Sequence, residues 1–389
     1  MRLNTTGAGI LGTTIDAHLV VGLTLAAVFS VLIVLVPAFQ KERLLSLLSL
    51  LVAAAYYGRD FLGFLIVSGI AYAAVRSLGR ETIPARRWRW AWIGIIVLAV
   101  VFTAGRVLHW NRPLILGSVQ VPVYTFGMWP ALKLVTLLWE VGSGAVAVPA
   151  LSRYVIWTAL PFTLGGPVLR LSQMPPQLTG NPQAWRSPGW WMEACAATAK
   201  LGGGILLGTF QQLFPIHGPH AHFLNNALAT FLTGPIGFYL TTAGYFHWME
   251  LLARPAGLKL PPSFNWPVGR ENISAFWMNW NMTATYVFRD YLFYNRWGGR
   301  NFNIYLNTLI LFTMVGLWHE ANAYWILWGF LHGLLFTGYL LWRKYGSRFG
   351  RIPLRGTLVS QVAARIFTYF CVCMCWYLPS KILQKLGAF

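Results

Sequence analysis

Long apolar runs recur from one end of this 389-residue chain to the other. Hydrophobic residues make up 56% of the chain and charged residues only 10%, whereas soluble globular domains carry about 25% charged residues. About 20 apolar residues in a helix cross the hydrocarbon core of a bilayer. The candidate spans are His18–Pro37, Phe61–Ala74, Ala91–Val107, Val121–Leu138, Met192–Phe210, Phe223–Leu252, Ile304–Leu317, Tyr324–Trp342 and Val359–Leu378.

Several of these runs are short or are interrupted by glycine and proline. Non-helical backbone at membrane depth is tolerated only where protein or a water-filled cavity encloses it. The sequence therefore predicts an all-α polytopic integral membrane protein with about ten to eleven transmembrane or re-entrant helices around a central tunnel. We expect one membrane domain over residues 1–389, in which residues 1–150 form the N-terminal helices.

Basic residues predict the orientation of the chain, whose formal net charge is +20. Two clusters flank apolar runs: Arg76, Arg80, Arg86, Arg87 and Arg89, and Arg343, Lys344, Arg348, Arg351 and Arg355. Short loops rich in Lys and Arg are normally cytoplasmic, which places the N-terminus outside. No cleavable signal peptide is evident in Met1–Asp16. The basic surface attracts anionic lipid or receives an anionic co-substrate; nucleic acid is not expected.

Two groups of residues, the cysteines and a histidine cluster, have side chains that can bind metals, but no metal is predicted. The four cysteines lack zinc spacing and indicate packing residues. His217, His220 and His222 could bind a transition metal. No carboxylate or thiolate accompanies them, and the neighbouring prolines and glycine indicate an interfacial loop. Whether these three histidines have a function stays open.

The strongest candidate for chemistry is His319, in the segment Gly316-Leu317-Trp318-His319-Glu320. Ionisable groups at membrane depth are costly, so each is a functional hypothesis. The structural alternative is a buried histidine that joins two helices. His332 follows in Trp328-Gly329…His332-Gly333; if the stretch were one helix, His332 would lie on a similar face but far along the axis.

Several motifs follow one another in a specific order in the second half of the chain. They are Gly165–Arg170, Gly244-Tyr245 followed by Leu251–Leu260, Pro261–Pro267, Ser274–Thr283, Phe288–Leu292 and Gly316–His319. In order and spacing they resemble the membrane-bound O-acyltransferase family, with the motif layout of its bacterial branch that acylates cell-envelope polymers (alginate O-acetylation or teichoic-acid D-alanylation). The resemblance covers roughly residues 150–380, and implies that this region is the catalytic core.

The resemblance implies that His319 is the general base of acyl transfer. Histidine suits that role at neutral pH, and burial keeps it neutral. The amide of Asn281 can donate a hydrogen bond to the developing oxyanion or orient the acceptor. No Ser or Cys nucleophile elbow is present, which favours direct transfer. The co-substrate would be a thioester, acyl-CoA or acyl carrier protein, with no bound cofactor.

Three departures from the family pattern leave the acceptor open. Polymer-acylating members usually have His where this chain has Asn281, and Asn is typical of members that acylate lysophospholipids, sterols or peptides. Glu320 replaces the common Gly after the signature His. The acidic residue expected after Gly-Tyr is missing, and Phe246-His247-Trp248 stands there.

Other residues are candidates for substrate binding rather than for proton transfer. Trp318 and Trp280 flank the two central residues in sequence, and His332 could support a tunnel or pack helices. Arg289 and Asp290 are expected to form a buried pair that fixes their helix. Arg170 could meet a phosphate of the donor. Glu320 is expected to point away from the imidazole.

The sequence therefore predicts a membrane-bound O-acyltransferase that transfers an acyl group from a thioester to a hydroxyl of a cell-envelope glycan or polymer, or of an intermediate carrier. A bacterial cytoplasmic (inner) membrane location and a partner envelope protein are expected. The alternative within enzymes is a lysophospholipid or other lipid O-acyltransferase. Alternatives of another class are a haem-binding electron-transfer protein and a transporter.

Overall fold

A computed structural model of the chain describes residues 17–35, 41–107, 114–116, 119–121, 128–213, 225, 227, 229–293, 303–346 and 357–387. Thirteen α-helices lie within these ranges: α1 (Ala17–Leu35), α2 (Lys41–Tyr57), α3 (Phe61–Arg80), α4 (Pro84–Val107), α5 (Met128–Ser143), α6 (Leu151–Thr158), α7 (Pro188–Leu213), α8 (Gly234–Ala253), α9 (Ile273–Trp277), α10 (Met282–Val287), α11 (Ile304–His319), α12 (Ala323–Tyr345) and α13 (Leu358–Lys385).

Shorter elements join the α-helices. Single 3₁₀ turns lie at Gly58–Asp60, Pro161–Thr163, Leu171–Gln173, Pro182–Arg186 and Arg254–Ala256, and π-helical turns lie at Ala229–Thr233 and Phe288–Phe293. Strands β1 (Leu114–Leu116) and β2 (Val119–Val121) pair antiparallel, with Leu114 opposite Val121. No strand is predicted from the sequence, so this pair of strands is an addition. Val121, where a span is predicted to start, lies in β2, and the predicted span contains α5 from Met128.

The predicted class, an all-α polytopic membrane protein, is confirmed. Within the described residues, four helices are long and apolar enough to cross a membrane, namely α3, α4 over Pro84–Gly105, α12 and α13, and shorter apolar helices cover Leu19–Leu35 and Ile304–His319. Large apolar side chains on α4 face outward, including Trp90, Ile93 and Val97. An outward apolar surface suits contact with lipid tails.

The described chain divides into two compact units. The N-terminal unit contains Ala17–Cys195 and Phe246–Pro261, and the C-terminal unit contains Ala196–Tyr245 and Pro262–Phe389. Each has its own buried side chains, such as Phe29 and Phe162 in the first and Phe312 and Trp328 in the second. The predicted division near residue 150 stays a prediction.

Two charged side chains on α5 hold part of the N-terminal unit together. The Lys133 ammonium donates to the Trp157 carbonyl at 2.6 Å, the Thr158 carbonyl at 3.2 Å and the Thr163 hydroxyl at 2.9 Å. Glu140 accepts a hydrogen bond from the Ser172 amide at 3.2 Å and another from its hydroxyl. A charge buried in a protein needs such partners, and these contacts fix the chain between Trp157 and Ser172.

Helices of the C-terminal unit begin at polar caps. The side-chain oxygens of Asn272, Asn303, Asn322 and Thr357 accept hydrogen bonds from backbone amides in the first turns of α9, α11, α12 and α13. These amides have no partner inside their helix, so an Asn or Thr cap stabilises each helix by about 1 kcal/mol.

Helices α11 and α12 pack antiparallel through glycine. A Cβ atom at Gly316 would lie 2.1 Å from the Trp325 carbonyl oxygen, and one at Gly329 would lie 2.2 Å from the Phe312 carbonyl oxygen. Because the contacts pair later residues of one helix with earlier residues of the other, the helices run in opposite directions. Only glycine permits this approach of two backbones.

Candidate active site

His319 is the last residue of α11, at the C-terminal end of the helix. Glu320 turns the chain into an extended conformation, with φ −163° and ψ 142°, and its amide closes the helix on the Gly316 carbonyl at 3.1 Å. The carbonyl end of a helix carries partial negative charge. A positive charge that forms on the imidazole during a reaction would lie beside this end.

Three indole rings surround the His319 imidazole, which is partly exposed. Trp325 stacks on it with ring centroids 4.7 Å apart and planes inclined by 19°. Trp328 meets it edge-on at 5.3 Å, and Trp318 lies tilted at 4.8 Å. An indole face attracts a cation, so this surrounding also suits an imidazolium.

Asn281 occupies a sharp turn before α10. Its φ of 39° and ψ of 55° are left-handed, and its side-chain Oδ1 is buried without a hydrogen-bond partner among the described residues. The next amide, of Met282, donates to the Ser263 carbonyl at 2.7 Å. Asn tolerates this backbone region better than most residues, and non-glycine residues held there cluster at functional sites. The geometry keeps Asn281 a functional candidate.

Arg270 forms hydrogen bonds that hold the turn before Asn281, and this role is not predicted from the sequence. Its Nη2 donates to the Asn265 carbonyl at 2.6 Å and to Asn279 Oδ1 at 3.1 Å, and its Nε donates to the Trp266 carbonyl at 3.0 Å. The guanidinium thus joins the Pro261–Pro267 segment to the residues just before Asn281. The only signal in the sequence is a single arginine two residues before the cap of α9.

Aromatic contacts run from the residue before Asn281 to His319 within the C-terminal unit. Trp280 stacks on Phe276 at 5.3 Å, and Phe276 meets Trp277 edge-on at 5.6 Å. Trp277 contacts Trp328 at 5.9 Å, and Trp328 contacts His319. The structure therefore places Trp280, Trp318 and His319 in one group of packed rings. The binding of substrate by these tryptophans stays a prediction.

His332 lies elsewhere than a single continuous helix would place it. That assumption is wrong, because the chain leaves helical conformation at Glu320 and restarts at the Asn322 cap, so that α12 folds back along α11. His332 is fully buried and packs edge-on against Trp277 at 5.1 Å and Trp328 at 4.6 Å. One indole, that of Trp328, therefore contacts both histidines.

Arg289 and Asp290 form an ion pair, with Arg289 Nε 2.8 Å from Asp290 Oδ1, but both side chains are about 30% exposed, so the pair is not buried as predicted. The pair lies in the π-helical turn after α10. The preceding Phe288 packs edge-on against Trp318 at 5.4 Å. These contacts agree with a structural role, although a part in substrate binding stays a prediction.

Arg170 belongs to the N-terminal unit. Its amide donates to Gln173 Oε1 at 3.1 Å, and the preceding Leu169 carbonyl accepts a hydrogen bond from Trp157 Nε1 at 3.0 Å. The backbone of this segment is therefore firmly anchored. Binding of a donor phosphate by Arg170 stays a prediction.

A carboxylate stands beside the position where the family pattern expects an acid. Glu193 of α7 lies 3.4 Å from His247 Nε2, and it accepts two hydrogen bonds from Arg254, at 2.9 Å and 2.6 Å. All three residues belong to the N-terminal unit. A carboxylate from another helix therefore lies next to this part of the chain, and the sequence does not predict it.

No group of three or more His, Cys, Asp or Glu side chains suited to a metal ion occurs within the described ranges. His217, His220 and His222 lie outside the residues that the structure describes.

Comparison with known proteins identifies relatives that act on cell-envelope polymers. The chain is 24% identical over 313 residues to a Pseudomonas putida protein named probable alginate O-acetylase AlgI, covering 73% of this chain and 62% of the relative. A protein of the same name from Azotobacter vinelandii is 25% identical over 313 residues, and the match covers 60% of its length. The chain thus spans about three fifths of these relatives.

Two proteins with other names match shorter parts of the chain. A Helicobacter pylori peptidoglycan O-acetyltransferase is 30% identical over 97 residues, which are 24% of this chain and 18% of the relative. A Bacillus subtilis teichoic acid D-alanyltransferase is 32% identical over 90 residues, which are 20% of this chain and 22% of the relative. No family model matches the chain. These relatives confirm the resemblance read from the motifs: the chain is similar to proteins named for O-acetylation or D-alanylation of cell-envelope polymers.

Proposed function

We propose that this protein transfers an acyl group from a thioester to a hydroxyl of a cell-envelope polymer or of an intermediate carrier. One observation carries the proposal: the stacked imidazole of His319 lies at a helix C-terminus, in the same unit as a left-handed Asn281. Relatives named for O-acetylation and D-alanylation support the reaction class.

His319 is the general base of the proposed reaction. Its neutral imidazole takes the proton of the acceptor hydroxyl, whose oxygen attacks the thioester carbonyl carbon. The carbon–sulfur bond then breaks, and the imidazolium returns the proton to the leaving thiolate. The products are an O-acyl ester and a free thiol, so no redox partner or metal is needed. Trp325 and the end of α11 stabilise the transient imidazolium.

Asn281 positions the reacting groups. Its buried Oδ1 has no hydrogen-bond partner in the described residues, which fits a role in orienting the acceptor. Its Nδ2 can donate to the oxyanion that forms at the thioester carbon. An amide cannot take the proton itself, so the base remains His319.

The donor is acyl-CoA or an acyl carrier protein that enters from the cytoplasmic side. The acceptor reaches His319 from the lipid or from the opposite side of a bacterial cytoplasmic membrane. A partner envelope protein would receive or present the polymer. The N-terminus is outside in this arrangement, as the basic loops indicate.

Labelled acetyl-CoA tests the proposal. Membranes that contain the protein should transfer label to a glycan or polymer fraction, and membranes with His319→Gln should not. Label in phospholipid instead would replace the polymer acceptor with a lipid acceptor. Absence of transfer to any fraction, from acetyl-CoA and from an acyl carrier protein alike, would contradict the proposed activity.

A further inference from the structure

A groove of about 700 Å³ lies between α12, α13 and the residues that lead into α9. Its lining is mainly apolar and includes Leu335, Tyr339, Trp342 and Phe367. All of its lining residues belong to the C-terminal unit. The volume is in the range of ligand-binding sites, about 300–1,000 Å³.

Gly338 lines the groove and has no packing reason to be glycine. Two other glycines of α12, Gly329 and Gly333, lie against α11, and a Cβ atom there would meet the backbone at 2.2 Å and 3.2 Å. At Gly338 nothing lies within 4 Å of the Cβ position. Glycine inside a helix is about 1 kcal/mol less favourable than alanine. The effect of this glycine is to leave the floor of the groove open.

The groove lies between two helices that suit a bilayer. Both α12 and α13 are long and apolar enough to cross a membrane. Its outer edge includes Leu334 and Phe367, whose side chains are 44% and 66% exposed. An apolar hollow between two such helices matches a hydrocarbon chain better than it matches a polar ligand.

Positive charge collects at one end of the groove. Trp342 is followed by the exposed cation Arg343 at the end of α12, which lies one turn beyond Tyr339 on the same helix face. On the rim, Arg365 Nη2 pairs with Glu271 Oε1 at 3.0 Å. Two cations, Arg343 and Arg365, against one carboxylate complement the phosphate of a lipid headgroup.

The inner wall of the groove is also part of the core beside the active site. Ile273, Leu335 and Tyr339 line the groove and pack in the same cluster as Trp277, Trp325 and Trp328. A molecule in the groove would therefore support the side of α12 that carries the rings around His319.

We propose that this groove binds one hydrocarbon chain of a phospholipid, with the phosphate at the basic end of α12. The bound chain fills the space above Gly338 and stabilises the packing of α12 against α13. The inference does not depend on the proposed acyl transfer, because lipid binding is measured without turnover.

Photolabelling in nanodiscs tests this site. The probe is an anionic phospholipid, a phosphatidylglycerol, with a diazirine in one acyl chain, and the readout is peptide mass spectrometry. Peptides from residues 334–342 and 364–371 should be labelled severalfold above peptides from α3. Gly338→Phe should remove that excess. Gly69→Phe in α3, where a Cβ also meets nothing within 4 Å, should not.

Equal labelling of α3, α12 and α13 would show only surrounding bilayer lipid and would overturn the site. Unchanged labelling in a folded Gly338→Phe protein, checked by size-exclusion chromatography, would do the same. If that variant fails to fold, Gly338→Leu carries the same prediction. A phosphatidylcholine probe carries the same phosphate beside a choline cation, so it should label less than the anionic probe, and Arg343→Gln should abolish the difference. Equal labelling by the two probes in the unmodified protein would overturn the preference of this end of the groove for an anionic headgroup.

Discussion

The imidazole of His319 lies face to face with the indole of Trp325, with ring centroids 4.7 Å apart. The two residues come from consecutive helices that turn back on each other at Glu320–Asn322. The stack fixes the plane of the ring that has to receive a proton. It also places the face of an electron-rich ring against the charge that develops on that ring.

Trp325→Leu should therefore slow acyl transfer more than Trp325→Phe. A cation–π contact contributes about 0.5–2 kcal/mol, so the leucine variant is expected to lose about 2- to 30-fold in kcat. Phenylalanine keeps an aromatic face and part of that stabilisation. Equal rates in both variants and the unmodified protein would show that the stack plays no part in proton transfer.

The left-handed backbone at Asn281 allows the role of its side-chain amide to be tested separately from backbone strain. Asn281→Gly keeps the left-handed turn, because glycine adopts positive φ freely, and it removes the amide. Turnover should fall by about 100- to 1000-fold if the amide stabilises the oxyanion. Asn281→Ala should fall at least as far, since it adds strain.

Full activity of the Asn281→Gly protein would show that the Asn281 side chain has no part in catalysis and that the residue only forms the turn. Thermal unfolding of the glycine variant is the control, and it should differ little from that of the unmodified protein.

Arg270 should act on turnover through the turn that it clamps. Arg270→Ala removes three hydrogen bonds to Asn265, Trp266 and Asn279. A displacement of about 1 Å at a reacting group can lower the rate about 100-fold. We expect a large drop in kcat with partial rescue by Arg270→Lys, whose single ammonium cannot reproduce the planar set of donors.

The double variant Arg270→Ala with Asn281→Gly distinguishes positioning from general stability. If Arg270 works by placing Asn281, its loss should add little once the amide is gone. Additive effects would mean that Arg270 stabilises the protein elsewhere. Arg86→Ala, which breaks an exposed ion pair with Glu81 at 3.7 Å, is the matched control and should leave kcat unchanged.

Two glycines of α12 should respond oppositely to alanine. At Gly329 the new methyl would lie 2.2 Å from the Phe312 carbonyl oxygen, and overpacking of this kind costs about 1–3 kcal/mol. At Gly338 the methyl meets nothing within 4 Å, and alanine favours the helix by about 1 kcal/mol. Melting temperatures in one detergent should therefore fall for Gly329→Ala and hold or rise for Gly338→Ala; the reverse order would contradict the described packing.

Much of the helical architecture could be predicted because hydropathy reports lipid-facing surface directly. The runs at Phe61–Ala74 and Tyr324–Trp342 lie inside α3 and α12. Helix α2 was not among the predicted spans, since it begins with Lys-Glu-Arg and carries serines. The strand pair β1–β2 was hidden for another reason: apolar β-branched residues look alike in a short strand and in a span.

The centre of the site was visible in the sequence, but its supports were not. His319 and Asn281 stand in recognisable motifs, and a histidine in an apolar run is conspicuous by itself. Arg270 and Glu193 act through partners distant in sequence or buried in turns, and no local pattern reports such contacts. The position of His332 relative to His319 depends on the three residues Glu320–Asn322, which decide whether α11 and α12 form one helix or a hairpin.

Turnover by purified His319→Gln protein, measured with labelled thioester donor and acceptor, tests the assignment of His319 as the general base. Glutamine cannot take up the hydroxyl proton, so kcat should fall by about 100- to 10,000-fold, while equilibrium binding of the donor stays unchanged. His247→Gln, a histidine of the N-terminal unit beside Glu193, should retain turnover. Acyl transfer at the unmodified rate by folded His319→Gln protein would contradict the assignment of His319 as the base.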